Sequence, residues 1–168
     1  MPRLSPEEIN QFLSEPGILM RIATVRDDGS PLVTPIWFIF EENCLWFTPR
    51  EKSEWFACLR RDPRMALCID EQLLPYRKLV IDGIAELCHD VGEDDLWRDR
   101  YRRIAGRYVP AAGAEAYVQE TIDQPRGLYK VALEGAKMRS WRMPVAGEPG
   151  DGIWAQRYYR PGTKLSKN

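Results

Sequence analysis

The sequence predicts a mainly β protein with helices (α+β), in which antiparallel strands form a barrel. Short runs rich in β-branched and aromatic residues alternate with turn signals along most of the chain. These runs are apolar nearly throughout, as in a barrel wall with an interior on one side and a partner surface on the other. A chain of 168 residues is long enough for one domain with a full hydrophobic core.

The N-terminal segment predicts a short helix. Ser5 is a suitable N-cap, a proline follows at the first helical position, and Glu8 completes a capping box. The apolar residues that follow form one stripe at helical spacing. The sequence Glu-Pro-Gly at residues 15–17 ends the helix.

Three strands are predicted next. Residues 18–25 and 31–40 form a hairpin, because Asp-Asp-Gly at residues 27–29 is a strong turn signal. A second turn at residues 41–43 leads into a strand at residues 44–48. Pro35 cannot donate a ladder hydrogen bond, so we expect a sheet edge, a bulge or a ligand contact there.

The rest of the chain continues the mixed pattern. It predicts, in order, a helix at 53–61, strands at 65–70 and 78–87, helices at 92–108 and 111–120, and one or two strands at 128–143. Gly135 marks a turn or bulge within the last segment. The sequence thus predicts one domain at residues 1–145 and an irregular tail at residues 146–168, suited to wrapping a partner subunit.

Composition and charge argue against several classes of function. The net charge is −1 and the pI is about 6.0, so no overall field attracts nucleic acid or an anionic membrane. The polar N-terminus is unlike a signal peptide and no long apolar run occurs, so we expect a cytoplasmic protein. His89 is the only histidine, and the cysteines are widely spaced (Cys44, Cys58, Cys68 and Cys88). This composition disfavours zinc sites and histidine-based nucleophilic catalysis, and predicts buried, reduced thiols.

The segment at residues 34–63 carries the clearest functional signal. A strand ends at Thr48, and the loop that follows carries Arg50 and Lys52 before Ser53 opens a helix. Unpaired backbone amides and the helix dipole favour an anion at such a position. Together with a barrel able to hold a flat ring, this pattern indicates a flavin nucleotide. The alternative is that the two cations are solvated and that the two hydroxyls only end the strand and cap the helix.

Three stretches, at residues 23–38, 45–70 and 75–87, resemble in order and spacing the pyridoxamine phosphate oxidase-like, FMN-binding split-barrel proteins. The stretch KMRSWRMP at residues 137–144 is a weaker similarity. The resemblance implies a six-stranded antiparallel split β-barrel and a homodimer with two FMN sites at the subunit interface.

The resemblance also implies site residues. The strand that contacts the flavin falls on Thr34, Pro35, Ile36 and Trp37. The phosphate contacts fall on Thr48 and Ser53, and the residue that reaches the polar edge of the ring falls on Lys78, next to Arg77. The family commonly has a basic pair after the loop serine, whereas this chain has Glu54 and Trp55. An acid there repels a phosphate, and Arg50 and Lys52 are the cations that could replace the lost charge.

The resemblance therefore implies an FMN-dependent oxidoreductase that acts on an unknown small molecule. Lys78 would stabilise negative charge at the N1/C2 edge of the reduced ring, and Trp141 would cover the substrate. Pyridoxamine phosphate oxidase activity itself is not expected, because the arginine and histidine arrangement that binds its substrate is not found near the C-terminus. No catalytic acid or base is assigned, since the flavin carries most of the chemistry.

Two alternatives stay open. The deazaflavin coenzyme F420 could bind the same fold, its longer phosphorylated tail lying in a basic groove (Arg60, Arg61, Arg64 and Arg77). The protein could instead be a non-enzymatic binder of flavin or haem, although His89 is expected to be a surface turn residue.

Overall fold

The computed structural model describes residues 1–149, apart from the side chain of Ala111. Its helices are α1 (Pro6–Ser14), α2 (Glu54–Arg61), α3 (Asp94–Gly106) and α4 (Ala111–Glu120). Its strands are β1 (Met20–Val25), β2 (Pro31–Ile36), β3 (Ile39–Glu41), β4 (Cys44–Phe47), β5 (Arg64–Asp70), β6 (Lys78–Ile84), β7 (Glu86–His89), β8 (Leu128–Ala132) and β9 (Lys137–Trp141). Residues 150–168, which include most of the predicted tail, lie outside the described residues.

The strands form two antiparallel sheets that share one core. The first sheet has the order β2-β1-β5-β6-β9 and the second the order β3-β4-β8-β7. Side chains from both sheets, such as Met20 and Leu45, are fully buried together with Phe12 of α1. The α+β class and the antiparallel pairing are confirmed. The expected six-stranded split barrel is not confirmed, since the nine strands of the described residues divide into sheets of five and four.

The segment at residues 31–40, predicted as one strand, is two strands in different sheets. The chain leaves the first sheet after Ile36 and enters the second at Ile39. Between them, Phe38 N–H donates to the Tyr108 hydroxyl at 3.1 Å, and Phe38 C=O accepts from Arg107 at 3.1 Å. Side chains of the two residues that directly follow α3 thus satisfy the Phe38 backbone that a continuous strand would have paired.

The segment at residues 78–87 is divided in the same way. β6 ends at Ile84 and β7 begins at Glu86, while the amide of Ala85 donates to the carbonyl of Pro63 at 2.8 Å. Gly135 has φ +75° in the turn that joins β8 to β9. The predicted turn there is therefore confirmed, although the two strands that it joins belong to different sheets.

The helices follow the sequence signals closely. Ser5 accepts from the Glu8 amide at 3.2 Å, and the Glu8 carboxylate accepts from the Ser5 amide at 2.8 Å, so the predicted capping box is present. α3 and α4 form a second apolar cluster with β3, β4 and β8, in which Ile104 and Val118 are fully covered. None of the helices in the described part of the chain is long and apolar enough to cross a membrane.

Candidate functional site

A cavity of about 300 Å³ lies where the end of β2 meets the start of α2, under residues of α3 and α4. Seven of the ten predicted cofactor-binding residues line it: Thr34, Pro35, Ile36, Trp37, Thr48, Arg50 and Ser53. The other lining residues are Trp55, Tyr101, Ile104, Tyr117 and Arg126. The structure thus brings most of the predicted site together in one place.

Aromatic side chains form one wall of this cavity. The Trp37 ring stacks on Tyr108 with a centroid distance of 5.0 Å and an interplanar angle of 3°. Tyr117 lies against Trp37 at 5.0 Å with a tilt of 51°. These contacts fix the orientation of Trp37 at the corner between the two sheets, and they offer an apolar surface to a flat ligand.

The loop before α2 is held by a tight turn. The Ser53 hydroxyl donates to the Arg50 carbonyl at 2.7 Å, and the Ser53 amide donates to the same oxygen at 2.9 Å. Ser53 is the N-cap residue of α2, but its side chain makes no capping bond to the helix. The alternative role of Ser53 as a side-chain cap is therefore wrong.

The same loop pairs with the segment before β8. Arg50 and Arg126 form an antiparallel bridge, flanked by bonds from the Glu51 amide to Pro125 (2.9 Å) and from the Gly127 amide to Pro49 (3.1 Å). Directly opposed residues in such a pair place their side chains on the same face, and two like charges there repel each other. Both arginines line the cavity, so the backbone pairing concentrates positive charge in it.

The Arg126 guanidinium is buried and poorly partnered. The residue is only 6% exposed, and among the described residues its side chain makes a single hydrogen bond within 3.5 Å, a long one of 3.4 Å to the Thr48 carbonyl. Its Cζ lies 4.5 Å from the centre of the Tyr101 ring, while Nε and Nη2 have no hydrogen-bond partner in the described residues. A buried guanidinium with unused donors is costly, and an anion would satisfy it.

Arg50 also has few hydrogen-bond partners for its guanidinium, but it is exposed where Arg126 is buried. Its Nη2 donates to the Tyr117 hydroxyl at 3.2 Å. Within residues 1–149, neither Arg50 nor Arg126 forms an ion pair with a carboxylate. The two side chains therefore fit a ligand phosphate, which would supply the missing negative charge.

The charges of Arg50 and Arg126 affect the pKa values of the tyrosines in the cavity. Burial opposes ionisation of Tyr117, but its interaction with Tyr101 and the charges of Arg126 and Arg50 outweigh burial and lower the pKa of Tyr117. Burial has the opposite net result at Tyr101, where it raises the pKa to about 12. The charges of Arg126 and Arg50 thus add to the effect of Tyr101 in lowering the pKa of Tyr117.

Glu54 and Trp55, which replace the family's basic pair, are both engaged elsewhere. The Glu54 carboxylate accepts from Arg26 Nε at 2.7 Å, so its negative charge is paired at the surface. Trp55 is 9% exposed, lines the cavity, and packs against Phe47 with a centroid distance of 6.0 Å. The repulsion expected from Glu54 is thereby reduced, and Trp55 contributes wall rather than charge.

With the geometry established, comparison with known proteins identifies the family. The sequence profile of the pyridoxamine 5′-phosphate oxidase family matches residues 5–140. The chain belongs to this family. No curated protein sequence matches it significantly.

Solved structures share the fold of this family member. A conserved hypothetical protein of Mycobacterium tuberculosis is 23% identical, with a TM-score of 0.65 over 89% of this chain and 92% of that one. An F420 reductase is 26% identical, with a TM-score of 0.55 over 73% of this chain and 90% of that one. The haem storage protein HutZ of Vibrio cholerae is 19% identical, with a TM-score of 0.60 over 82% of this chain and 96% of that one. The fold is therefore common to proteins whose names give them different ligands.

Lys52 lies beside the cavity rather than in it. It lines an adjoining groove of about 720 Å³ that shares Arg50 and Ser53 with the cavity and continues to Asp123, Gln124 and Pro125. Glu51 and Asp123 also line this groove, so its charge is mixed.

Arg77, Lys78 and Trp141 are not among the residues that line the cavity. Arg77 forms ion pairs with Glu15 and Glu71, both at 2.6 Å. Lys78 begins β6, opposite Trp141 at the end of β9, and Trp141 is 3% exposed. Within one chain these residues are apart from the predicted site, so their roles at the cofactor and substrate stay predictions.

Sequence reasoning missed Arg126, Tyr101 and Tyr117. The two tyrosines lie in the helices predicted at residues 92–108 and 111–120, where nothing indicated that one face covers a ligand cavity. Arg126 stands in the short sequence Gln-Pro-Arg-Gly before the final strands. A lone arginine beside a proline and a glycine could have indicated a structured turn, but not the pairing with Arg50.

Proposed function

We propose that this protein is an oxidoreductase that uses FMN to convert a small organic molecule. The observation that carries the proposal is the cavity itself, where the end of β2 lies near two arginines whose side chains have no carboxylate partner in the described residues. Flavin nucleotides combine a flat apolar ring with an anionic tail, and the cavity combines an aromatic wall with a cationic end.

The chain's own residues have distinct tasks in this proposal. Thr34, Pro35, Ile36 and Trp37 would contact the ring, and the Trp37–Tyr108 stack would keep that wall rigid and exclude water. Thr48, Arg50 and Ser53 would bind the phosphate, with Lys52 at its outer edge. A bound flavin supplies the hydride and electron chemistry, which the protein tunes through position and charge.

A homodimer is part of the proposal. Lys78, Arg77 and Trp141 do not line the cavity of their own chain, whereas the family resemblance puts the cofactor sites at a subunit interface. In such a dimer these residues would come from the second subunit. Light scattering coupled to size-exclusion chromatography tests this point, with a mass twice that of the 19.5 kDa chain as the expected result.

The deazaflavin coenzyme F420 is a second candidate. The groove that continues past Arg50 and Ser53 offers room for a longer phosphorylated tail, and the similar F420 reductase supports this reading. The basic groove that the sequence predicted from these four arginines (Arg60, Arg61, Arg64 and Arg77) is not available to a ligand tail, because their side chains already have partners. Arg60 pairs with Asp90, Arg64 with Asp62, and Arg61 with the Val25 carbonyl, so their charges are already engaged. A tail would instead follow Lys52.

Non-enzymatic binding of flavin or haem is a third candidate, with less support for haem. HutZ shows that the fold occurs in a haem storage protein. In this chain the single histidine, His89, ends β7, lies 3.1 Å from Glu93, and does not line the cavity. A haem would therefore need another ligand to its iron.

Cofactor retention is the test. The absorbance spectrum of freshly purified protein is recorded, and again after addition of FMN or F420 and gel filtration. We expect one FMN retained per subunit in the wild type and severe loss in the double variant R50A/K52A. The variant R64A is the control, because it removes an exposed charge outside the cavity. Unchanged FMN affinity in R50A/K52A would refute the phosphate assignment, and retention of F420 alone would favour the second candidate.

A further inference from the structure

We propose that Arg126 is the buried cation that binds the cofactor phosphate jointly with Arg50, in place of the basic pair that this chain lacks. This inference rests on the proposed function and deepens it, because it names the residue that recognises the phosphate ester. The resemblance did not assign Arg126, which comes from the segment between α4 and β8 rather than from α2.

The partners of Arg126 argue against a purely structural role. Arg107 provides the comparison, since it is half-buried and forms no ion pair with a carboxylate among the described residues. Its guanidinium donates to the carbonyls of Leu13 (2.8 Å), Glu15 (2.5 Å) and Phe38 (3.1 Å), and so joins α1 to the corner between the sheets. Among residues 1–149, Arg107 leaves its Nε without a partner, whereas Arg126 makes the single 3.4 Å side-chain bond to Thr48 and leaves both Nε and Nη2 unused. A buried arginine that served the fold alone would be expected to use its donors as Arg107 does.

The position of Arg126 is imposed by the backbone. Its own amide donates to the Asp94 carboxylate at 2.9 Å, and the neighbouring residues Pro125 and Gly127 bond to the loop before α2. These bonds hold the Arg126 side chain opposite Arg50, although the two charges repel each other. An anion between them converts that repulsion into two attractions.

The chemistry of the pair selects a phosphate ester. Guanidinium groups present planar forks of N–H donors that match phosphate oxygens, and two of them balance up to two negative charges. The Tyr117 hydroxyl, which accepts from Arg50, is a further polar group at this end of the cavity. Both the monoester of FMN and the diester of F420 offer the required oxygens, so the experiment includes both.

Paired binding measurements test the inference. The affinities of wild type, R126M and R126K for FMN and for riboflavin, which has the same ring but no phosphate, are measured by flavin fluorescence. We expect R126M to lose about 10- to 100-fold in FMN affinity with no change for riboflavin, since one charged hydrogen-bonding group is lost. The FMN affinity of R126K should lie between those of the wild type and R126M, because lysine keeps the positive charge but lacks the planar pair of N–H donors. R64M, which removes an exposed arginine, should match the wild type.

A second readout separates binding from folding. Without ligand, R126M should melt at or above the wild-type temperature, because a buried charge that lacks a counter-ion has been removed. A fall in melting temperature together with equal losses for FMN and riboflavin would show a structural role and overturn the inference. If R126M does not fold, R126K decides, and an unchanged ratio of FMN to riboflavin affinity in R126K refutes the assignment.

Failure of the proposed function gives a different result. If the wild type binds neither FMN nor riboflavin, the same variants are tested with F420 and with inorganic phosphate. Selective loss of either ligand in R126M would keep Arg126 as a phosphate-binding residue while the assignment of FMN fails. Equal responses of wild type and R126M to every phosphate compound would reject the inference itself.

Discussion

Arg77 and Arg126 both lie over an aromatic ring, but they differ in whether carboxylates pair with their charge. Each guanidinium lies over an aromatic ring, Arg77 at 4.8 Å from the centre of Phe12 and Arg126 at 4.5 Å from that of Tyr101. Arg77 is surrounded by carboxylates, whereas Arg126 has none as an ion-pair partner within residues 1–149. Burial alone therefore does not separate a structural arginine from a ligand-binding one. The two kinds of arginine differ instead in how many of their N–H donors are hydrogen-bonded within the protein.

Arg77 forms a cluster with Glu15 and Glu71 in which its N–H groups are hydrogen-bonded to carboxylates. Five hydrogen bonds from its side chain and backbone reach Glu15 and Glu71. Burial raises the pKa of Glu71, but the bonds from Arg77 outweigh it and hold that pKa below its usual value. Hydrogen bonds to Glu71 and Glu15 in turn raise the pKa of Arg77. The positive charge of Arg77 is thus paired with two carboxylates without any ligand.

The first prediction gives the largest effect and concerns stability. R77M should lower the free energy of unfolding by about 3 kcal/mol, because Glu71, whose side chain is only 12% exposed, would be left without its counter-ion. Urea denaturation followed by circular dichroism measures it, with R126M under the same conditions for comparison. The contrast between the two arginines would be wrong if R77M were as stable as the wild type, or if R126M lost as much as R77M.

A smaller loss is expected at the glycine beside Arg126. A Cβ at Gly127 would lie 2.9 Å from Cε2 of Phe56 and 3.3 Å from Cδ1 of Leu87. G127A should therefore cost about 1–3 kcal/mol of stability by overpacking, and should weaken FMN binding because the segment that carries Arg126 must move. The control is G113A in α4, where the added Cβ meets only Val109 at 3.9 Å and should be neutral or stabilising. Equal stability of G127A and G113A in thermal melts would count against this close packing.

Local patterns predicted much of the fold but not the completed site. The capping box at Ser5 and the turn at Gly135 depend on neighbouring residues, and the structure has both. The corner at Phe38 could not be predicted in this way, because its hydrogen-bond partner Tyr108 lies 70 residues away. The placement of Arg126 opposite Arg50 likewise depends on backbone pairing between distant segments. Sequence patterns therefore located one half of the cationic pair, and only tertiary structure supplied the other.

Arg142 extends the comparison to acid pH. It resembles Arg77 in having two carboxylate partners, Glu8 at 2.7 Å and Glu148 at 2.6 Å. Hydrogen bonding to Arg142 lowers the pKa of Glu148 from 4.5 to about 2. Because the folded-state pKa is the lower one, the stabilisation is complete above about pH 4.5 and is lost as the pH falls toward 2. We expect the difference in melting temperature between wild type and E148Q to shrink across this window. A difference that stayed constant from pH 6 to pH 3 would argue against the pairing.

The smallest effect tests how the cavity tolerates an acid at its edge. Glu54 adjoins two lining residues, Ser53 and Trp55, but its charge is taken up by Arg26. R26M would leave that carboxylate unpaired beside the proposed phosphate site, so FMN affinity should fall by about two- to fivefold, the scale of a surface ion pair. E54Q should raise it slightly, and R26M/E54Q should return it to the wild-type value, while riboflavin binding stays the same in all three. Because screening weakens such surface interactions, the effect of R26M should also decrease as salt is added. If riboflavin affinity changed in parallel with FMN affinity, Glu54 would act on the shape of the cavity and not on the phosphate.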